Sequence, residues 1–500
     1  MNSKQVLALV ALMGGEALAF WRMECRGTTA QARIDPLVNP GTIGHHSHQI
    51  FGSGGFGESA DYAALSSSNC TSCIATQDKS AYWTPIPYFK DEATGEYEAV
   101  GNVGGMLAYY FLNGEDIKAF PKDFRMIAGD TDRRNYSVGT GDYEQPDPDK
   151  SLWRALNQVT QTDLSQRALG FNCLDYTKAA EGSLYRHFLP SKDYIDANCP
   201  DGIRFELMFP SCWDGKNIDS DDHMSHVAYP DLVMNGDCPA GFPVRLPGLF
   251  YETIWDMASF KNRKGSFIMS NGDPYGFGYH GDFIMGWEEN DSFKLQDAVD
   301  QCTSTSGRVQ DCAPFNLQEL DQMQSCKLDL LGQLLKEDVV GPISGLPGGV
   351  KVSWGPGPAT SDDGDDDSAP SSVALPTLTY SAGSTASVNG SFVPGNAFKA
   401  QATPASAPAP VDEPVKGAAV VTPAPPMPSD PTEIVLSTAY ETTTLADGTV
   451  LVNEVVYEEV IDYVTVETTT TVYVEPTNVP EARRRSAHAH ARRHVHGRVH

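Results

Sequence analysis

The sequence predicts a mainly β protein, a β-sandwich or jelly-roll-like, disulfide-stabilised domain with a few helices. A disordered Ser/Thr/Pro-rich tail is expected to follow it. Three observations predict this. Between residues 20 and 340 the apolar runs are short, several alternate with polar residues, and Gly and Pro punctuate them. All ten cysteines lie between Cys25 and Cys326, an even number suited to a disulfide framework in an exported chain. After Gly341 the residues become Gly, Pro, Asp, Ser, Thr and Ala, which bury too little apolar surface to offset the entropy of ordering.

Residues 1–19 read as a secretory signal peptide. Lys4 precedes an apolar run from Val6 to Met13, and Ala17-Leu18-Ala19 supplies small residues for cleavage. The run is far shorter than the ~20 residues that span a bilayer, and no later segment is long and apolar enough. In the 20–340 region, Met106–Leu112, Arg204–Phe209, Val244–Ile254 and Ser266–Met269 read as strands. Ile203, Phe205, Leu207 and Phe209 alternate with Arg204, Glu206 and Met208, the period of a half-buried strand. Leu295, Ala298, Val299 and Cys302 have helical spacing, and Leu317–Leu335 is the clearest helical pattern. Leu152–Leu156 is a further helix start.

Residues 341–431 read as a linker, first acidic and then Ser/Thr/Pro-rich, of the kind that carries O-linked sugars. Residues 432–474 are Val/Thr-rich and β-prone. Residues 475–500 form a basic His/Arg tail. Asn135, Asn290 and Asn389 head glycosylation sequons, and Asn69-Cys-Thr71 is a formal fourth.

The formal net charge is −29, which disfavours nucleic acid as a partner because phosphates need basic neutralisation. An anionic polymer would need a local basic cleft, for which Arg125, Arg134 and Arg204 are candidates. The expected location is extracellular or in a cell wall.

Histidine placement is the strongest functional signal. Of seven histidines before the tail, six fall in three short clusters, with His187 apart. The clusters are His45, His46 and His48; then Asp222, His223 and His226; then His280 and Asp282. If His46-Ser47-His48 is extended, both imidazoles point to one face. Convergence of the three clusters on one site would join His48, Asp222, His223, His226, His280 and Asp282 as catalytic candidates.

Several chemistries suit this set. Glycoside cleavage needs two carboxylates, and Glu206, Asp214, Asp219, Asp222, Glu252 and Asp282 are candidates. A lyase would use a His or Tyr base beside a uronate, for which His223, His226, Tyr279 and His280 are suited. A divalent metal, zinc, copper or manganese, would find N/O ligands in His46, His48, His223, His226 and His280 with Asp222 or Asp282. The cofactor itself is left unknown. HExxH and GxSxG are absent, and Ser47 is a weak nucleophile candidate. Without catalysis, Trp83, Trp213, Tyr251, Trp255, Tyr275, Phe277, Tyr279 and Trp287 are available either to stack on sugars or to fill a core. Asp214 to Asp222 could hold calcium, although the EF-hand spacing is lacking.

Motifs in order along the chain resemble a known family. Gly44-His-His-Ser-His-Gln49, Pro210-Ser-Cys-Trp-Asp-Gly215, Asp219-Ser-Asp-Asp-His-Met-Ser-His-Val-Ala-Tyr-Pro230, Tyr251-Glu-Thr-Ile-Trp255 and Asn271 through Trp287 are similar to the fungal secreted domain of unknown function 1996 (DUF1996). The resemblance covers roughly residues 20–326. It implies a secreted fungal protein, in some cases joined to carbohydrate-binding or wall-sensing modules, and implies no reaction. The functional expectation is a hydrolase or lyase acting on a cell-wall or plant polysaccharide. The alternative is a non-catalytic carbohydrate-binding or structural wall glycoprotein.

Overall fold

The structure is a computed structural model that describes residues 19–143, 145–354, 433–444 and 450–460. The expected signal peptide up to residue 18, residues 355–431 of the linker and the basic His/Arg tail lie outside the described residues.

Sixteen strands and five short helices form the larger body. In chain order they are β1 (Phe20–Cys25), β2 (Ala30–Ala32), β3 (His48–Gly52), α1 (Tyr62–Ser66), β4 (Ala81–Pro85), β5 (Pro87–Asp91), β6 (Tyr97–Ala99), β7 (Asn102–Phe111) and β8 (Arg125–Gly129). Next come α2 (Gln161–Arg167), β9 (Leu169–Cys173), α3 (Lys192–Asn198), β10 (Ile203–Met208), β11 (Cys212–Trp213), β12 (Val227–Ala228), β13 (Val244–Arg245) and β14 (Gly248–Trp255). The last are β15 (Gly265–Met269), β16 (His280–Ile284), α4 (Leu295–Gln301) and α5 (Leu320–Ser325).

Two five-stranded antiparallel sheets carry the fold. Sheet I has the order β1-β7-β14-β10-β9, and sheet II the order β2-β3-β4-β16-β8. Strand alternation builds the layers. Met106, Ala108 and Tyr110 of β7 join the main core, while Leu107, Tyr109 and Phe111 join a second cluster on the other face of sheet I. Sheet II meets sheet I through Tyr82 against Tyr251, with ring centroids 5.7 Å apart, and through the Tyr82–Tyr110 hydroxyl bond of 2.7 Å. Gly281 of β16 lies at this interface, where a Cβ would come within 2.5 Å of Leu207. Two three-stranded antiparallel sheets, β12-β11-β13 and β15-β5-β6, hold the remaining strands, so the fold is mainly β with few helices, as the alternation predicts.

All ten cysteines pair: Cys25–Cys73, Cys70–Cys326, Cys173–Cys199, Cys212–Cys238 and Cys302–Cys312. The CxxC pair is thus split between two bridges. Among the described residues no helix is long and apolar enough to cross a membrane.

Three expectations change. Leu317–Leu335 is helical only over α5; Cys326 is bonded to Cys70, and Leu328, Leu330 and Leu334 then pack in alternation on the outer face of sheet II. Partial burial of Leu328, Leu330 and Leu334, with Leu331 and Leu335 left exposed, overrides the helical spacing. Val244–Ile254 splits into β13 and β14 at Leu246-Pro247, since proline lacks the N–H a continuous strand needs. The body also continues past residue 340: Ile343 pairs with Tyr97, and Leu346 enters the core. Separately, Glu433–Thr444 and Val450–Val460 form an antiparallel strand pair within the β-prone stretch.

Candidate functional site

The candidate site lies on the outer face of sheet II. Ile50 of β3, Trp83 of β4 and Ile284 of β16 share an apolar cluster with Ala32, Ile34 and Leu37. Alternation puts His48 on the face of Ile50, and His280 and Asp282 on the face of Ile284. His46 follows the same two-residue step. Ser47 points the other way, with its buried hydroxyl 2.9 Å from Tyr88 Oη and not among the imidazoles. Gly129 pairs with His280 in register, and a Cβ there would fall 2.7 Å from His280 Cα. That glycine lets β8 lie against the imidazole-bearing strand.

Two sequence clusters, 234 residues apart, meet here. His46 Nε2 and His280 Nε2 are 3.1 Å apart. The ring centroids of His46 and His48 are 4.3 Å apart, and those of His48 and His280 are 5.9 Å apart. One nitrogen from each of the three rings lies within 4.8 Å of the others. His46 is 8% exposed, His48 0%, His280 4% and Asp282 1%.

Burial without partners sets the electrostatics. Burial pushes His280 down to about 4, and pushes His46 and His48 well below the usual imidazole value, with neighbouring histidines adding to the effect. All three rings are therefore neutral near pH 7. His280 Nδ1 is 2.9 Å from the Gly278 carbonyl, which can only accept, so Nδ1 carries the proton and Nε2 presents a lone pair to His46. Neither ring nitrogen of His48 makes a hydrogen bond, although the Ile34 carbonyl is close enough to favour the charged ring slightly. Both oxygens of Asp282 are also unbonded, as is the indole nitrogen of Trp83, its register partner. Burial, and then Asp35, raise the Asp282 carboxyl far above its ordinary value.

The middle cluster does not complete this site. His223 Nδ1 binds Asp219 at 2.7 Å and Nε2 binds the Leu37 carbonyl at 3.1 Å. Burial opposes its charge, but Asp219 outweighs burial and raises it. His223 still borders the site, because the charges of His223 and Asp282 both act on or with Asp35. Asp222 accepts from the Ser220 and Ser225 hydroxyls and from the Met224 and Ser225 amides, which outweigh burial and bring it down to about 2. It organises its own loop. His226 binds Ser220 Oγ and packs on Phe124, away from His280.

The other candidates separate as well. Asp214 closes a turn by accepting from Lys216 and Asn217. Glu206 and Glu252 oppose each other across β10 and β14 with Arg204 beside them, fully buried. Tyr109, of the outer cluster of sheet I, bonds Glu252, so this pair faces away from the histidines. Tyr279 packs between the sheets on Phe171 and Phe205, opposite in direction to His280. The three arginines form no cleft: Arg125 pairs with Asp123, Arg204 with Glu206, and Arg134 is bonded to the Thr131, Arg133 and Asn271 carbonyls beside the histidines. Asp35, Trp83 and Asp130 are neighbours that residue type alone gave no reason to group with them.

A row of rings leads to the site along the chain. Tyr275 stacks on Phe277 at 5.3 Å, Phe277 meets Tyr136 and Tyr143, and Tyr143 meets Phe188. Phe277 is buried and the other four are half-buried, while Trp354, against Tyr275, is 57% exposed. Phe277 is three residues before His280, and Tyr136 two after Arg134. The sequon asparagines Asn69, Asn135 and Asn290 are exposed.

Neither a curated protein nor a solved structure matches this chain. One family model does, that of the domain of unknown function DUF1996, over residues 35–287. That span holds His46, His48, His280 and Asp282 and covers half of the chain, so the protein belongs to the DUF1996 family.

Proposed function

We propose that this is a secreted fungal protein directed at a cell-wall or plant polysaccharide, which it cleaves as a hydrolase or lyase. The row of half-buried rings from Phe188 through Tyr143 to Tyr275, continuous in the chain with His280, is the observation that supports it. Sugar rings have apolar faces that stack on such side chains, and the imidazole of His48 and carboxyl of Asp282 have no side-chain hydrogen bond that ties them to the fold. The five disulfides fit an oxidising, extracellular setting. A specific observation favours a second reading, carbohydrate binding without cleavage: His48, His280 and Asp282 are closed off from solvent.

Purified full-length protein incubated with a glycan panel separates the two. New reducing ends or unsaturated-uronate absorbance, lost in His280→Ala, support cleavage. No product, with retention on an insoluble glycan that falls in Tyr143→Ala and Tyr275→Ala, supports binding. Neither product nor retention across the panel overturns both.

A further inference from the structure

We infer that His46, His48 and His280 form a binding site for one divalent transition-metal ion, zinc(II) or copper(II). The donor set is three imidazoles, one from the bend before β3 and one each from β3 and β16, with one nitrogen of each within 4.8 Å of the others. A zinc–imidazole bond of about 2.05 Å gives a tetrahedral nitrogen–nitrogen edge of about 3.3 Å. The His46–His280 separation of 3.1 Å is already near that edge. The widest pair needs to close by at most roughly 1.5 Å, within reach of a side-chain torsion.

Protonation is arranged for ligation. The Gly278 carbonyl holds the proton of His280 on Nδ1, the second contact that ligating histidines usually make, and turns the Nε2 lone pair towards His46, whose Nε2–H an ion would displace. His48 provides the independent observation. A buried neutral imidazole with neither nitrogen bonded forfeits its water bonds for nothing, and an ion would take its lone pair. Nitrogen donors favour zinc or copper over magnesium and calcium, which take oxygen. Asp130 acts on His280 and Asp132 on His45, so acidic groups stand where the exposed His45 leads inward. Arg134 opposes a cation, and Asp273, Asp132 and Asp130 offset its charge.

This site does not depend on the polysaccharide reading, and its test uses no substrate. The basic tail carries five histidines, a composition able to bind metal by itself, so the full chain is made untagged with all five changed to Ala. After chelation, reloading with zinc(II) or copper(II) and desalting, mass spectrometry should count about one ion per chain. His48→Ala and His280→Ala should retain less than roughly a fifth of that, with unchanged circular dichroism. If either fails to fold, His46→Gln, nearest the surface, replaces it. Nitrogen hyperfine coupling from the copper(II)-loaded parent gives a readout without mutation. Retention well below one ion in the parent, or retention unaffected by all three substitutions, overturns the site.

Discussion

The outer face of sheet II and the loop from Asp219 to His226 hold the same residue types and treat them in opposite ways. In the loop Asp222 accepts four bonds and His223 is held at both nitrogens, while His226 keeps one buried nitrogen unbonded. On the sheet face His48 and Asp282 are more deeply buried and bonded to nothing. Saturated groups hold a loop in shape. Unsaturated buried groups cost folding free energy, commonly 1–3 kcal/mol each, and persist where something other than the fold uses them. What sets His48 and Asp282 apart from Asp222 and His223 here is therefore hydrogen-bond completeness rather than clustering.

The largest expected effect tests the cost on the sheet face. Asp282→Asn in chelator-treated protein should raise stability at pH 7 by about 2 kcal/mol, because an amide is never driven to ionise. The sign follows from the raised carboxyl. Its folded-state pKa lies above the unfolded value, so stability is full below about 3.9 and falls as pH rises. The gain should thus shrink towards pH 4. Denaturant unfolding at both pH values measures it, and a loss of stability at pH 7 would mean that Asp282 has a structural partner after all.

Asp222→Ala should act in the opposite direction and less strongly. It removes an acceptor from two amides and two hydroxyls on a partly exposed loop, a cost of about 1–2 kcal/mol. In the wild type this contribution is present above the unfolded aspartate value and is lost as pH falls towards about 2. A substitution without effect on the urea midpoint would erase the contrast between the two regions.

The layers of the fold were legible because a two-residue period has one meaning on a sheet with a buried face. Ile203 to Phe209 reads directly as β10, and the even cysteine count reads as a closed set of bridges. His46 with His48, and His280 with Asp282, could be paired for the same reason: each is a two-residue step, the second on β16 and the first leading into β3. The fate of Asp222, His223 and His226 was not legible. Their partners, Leu37 for His223 and Phe124 for His226, are distant in sequence, and partners decide whether a histidine is spent. Leu317–Leu335 failed on similar grounds, since the Cys70–Cys326 bridge and the apolar face of sheet II reset a local helical period. Asp35 and Trp83 join the site only through packing across strands.

The smallest expected effect is also the sharpest in sign. In metal-free protein the sheet-face histidines and His223 should answer pH oppositely. His280, brought down to about 4 by burial, stays neutral in the fold while the unfolded chain takes up a proton near pH 6.5. Its contribution is therefore complete above about 6.5 and is lost as pH falls from there to about 4. His223 is raised by Asp219, so its contribution is complete below about 6.5 and is lost as pH rises through its higher folded value. Histidine ring NMR should show His280 neutral at pH 6 and His223 titrating above the ordinary imidazole value of about 6.5, with His280→Gln and His223→Gln giving the assignments. If both rings titrated together near 6.5, burial would not govern the sheet face, and the ion-binding arrangement would lose the neutral imidazole it relies on.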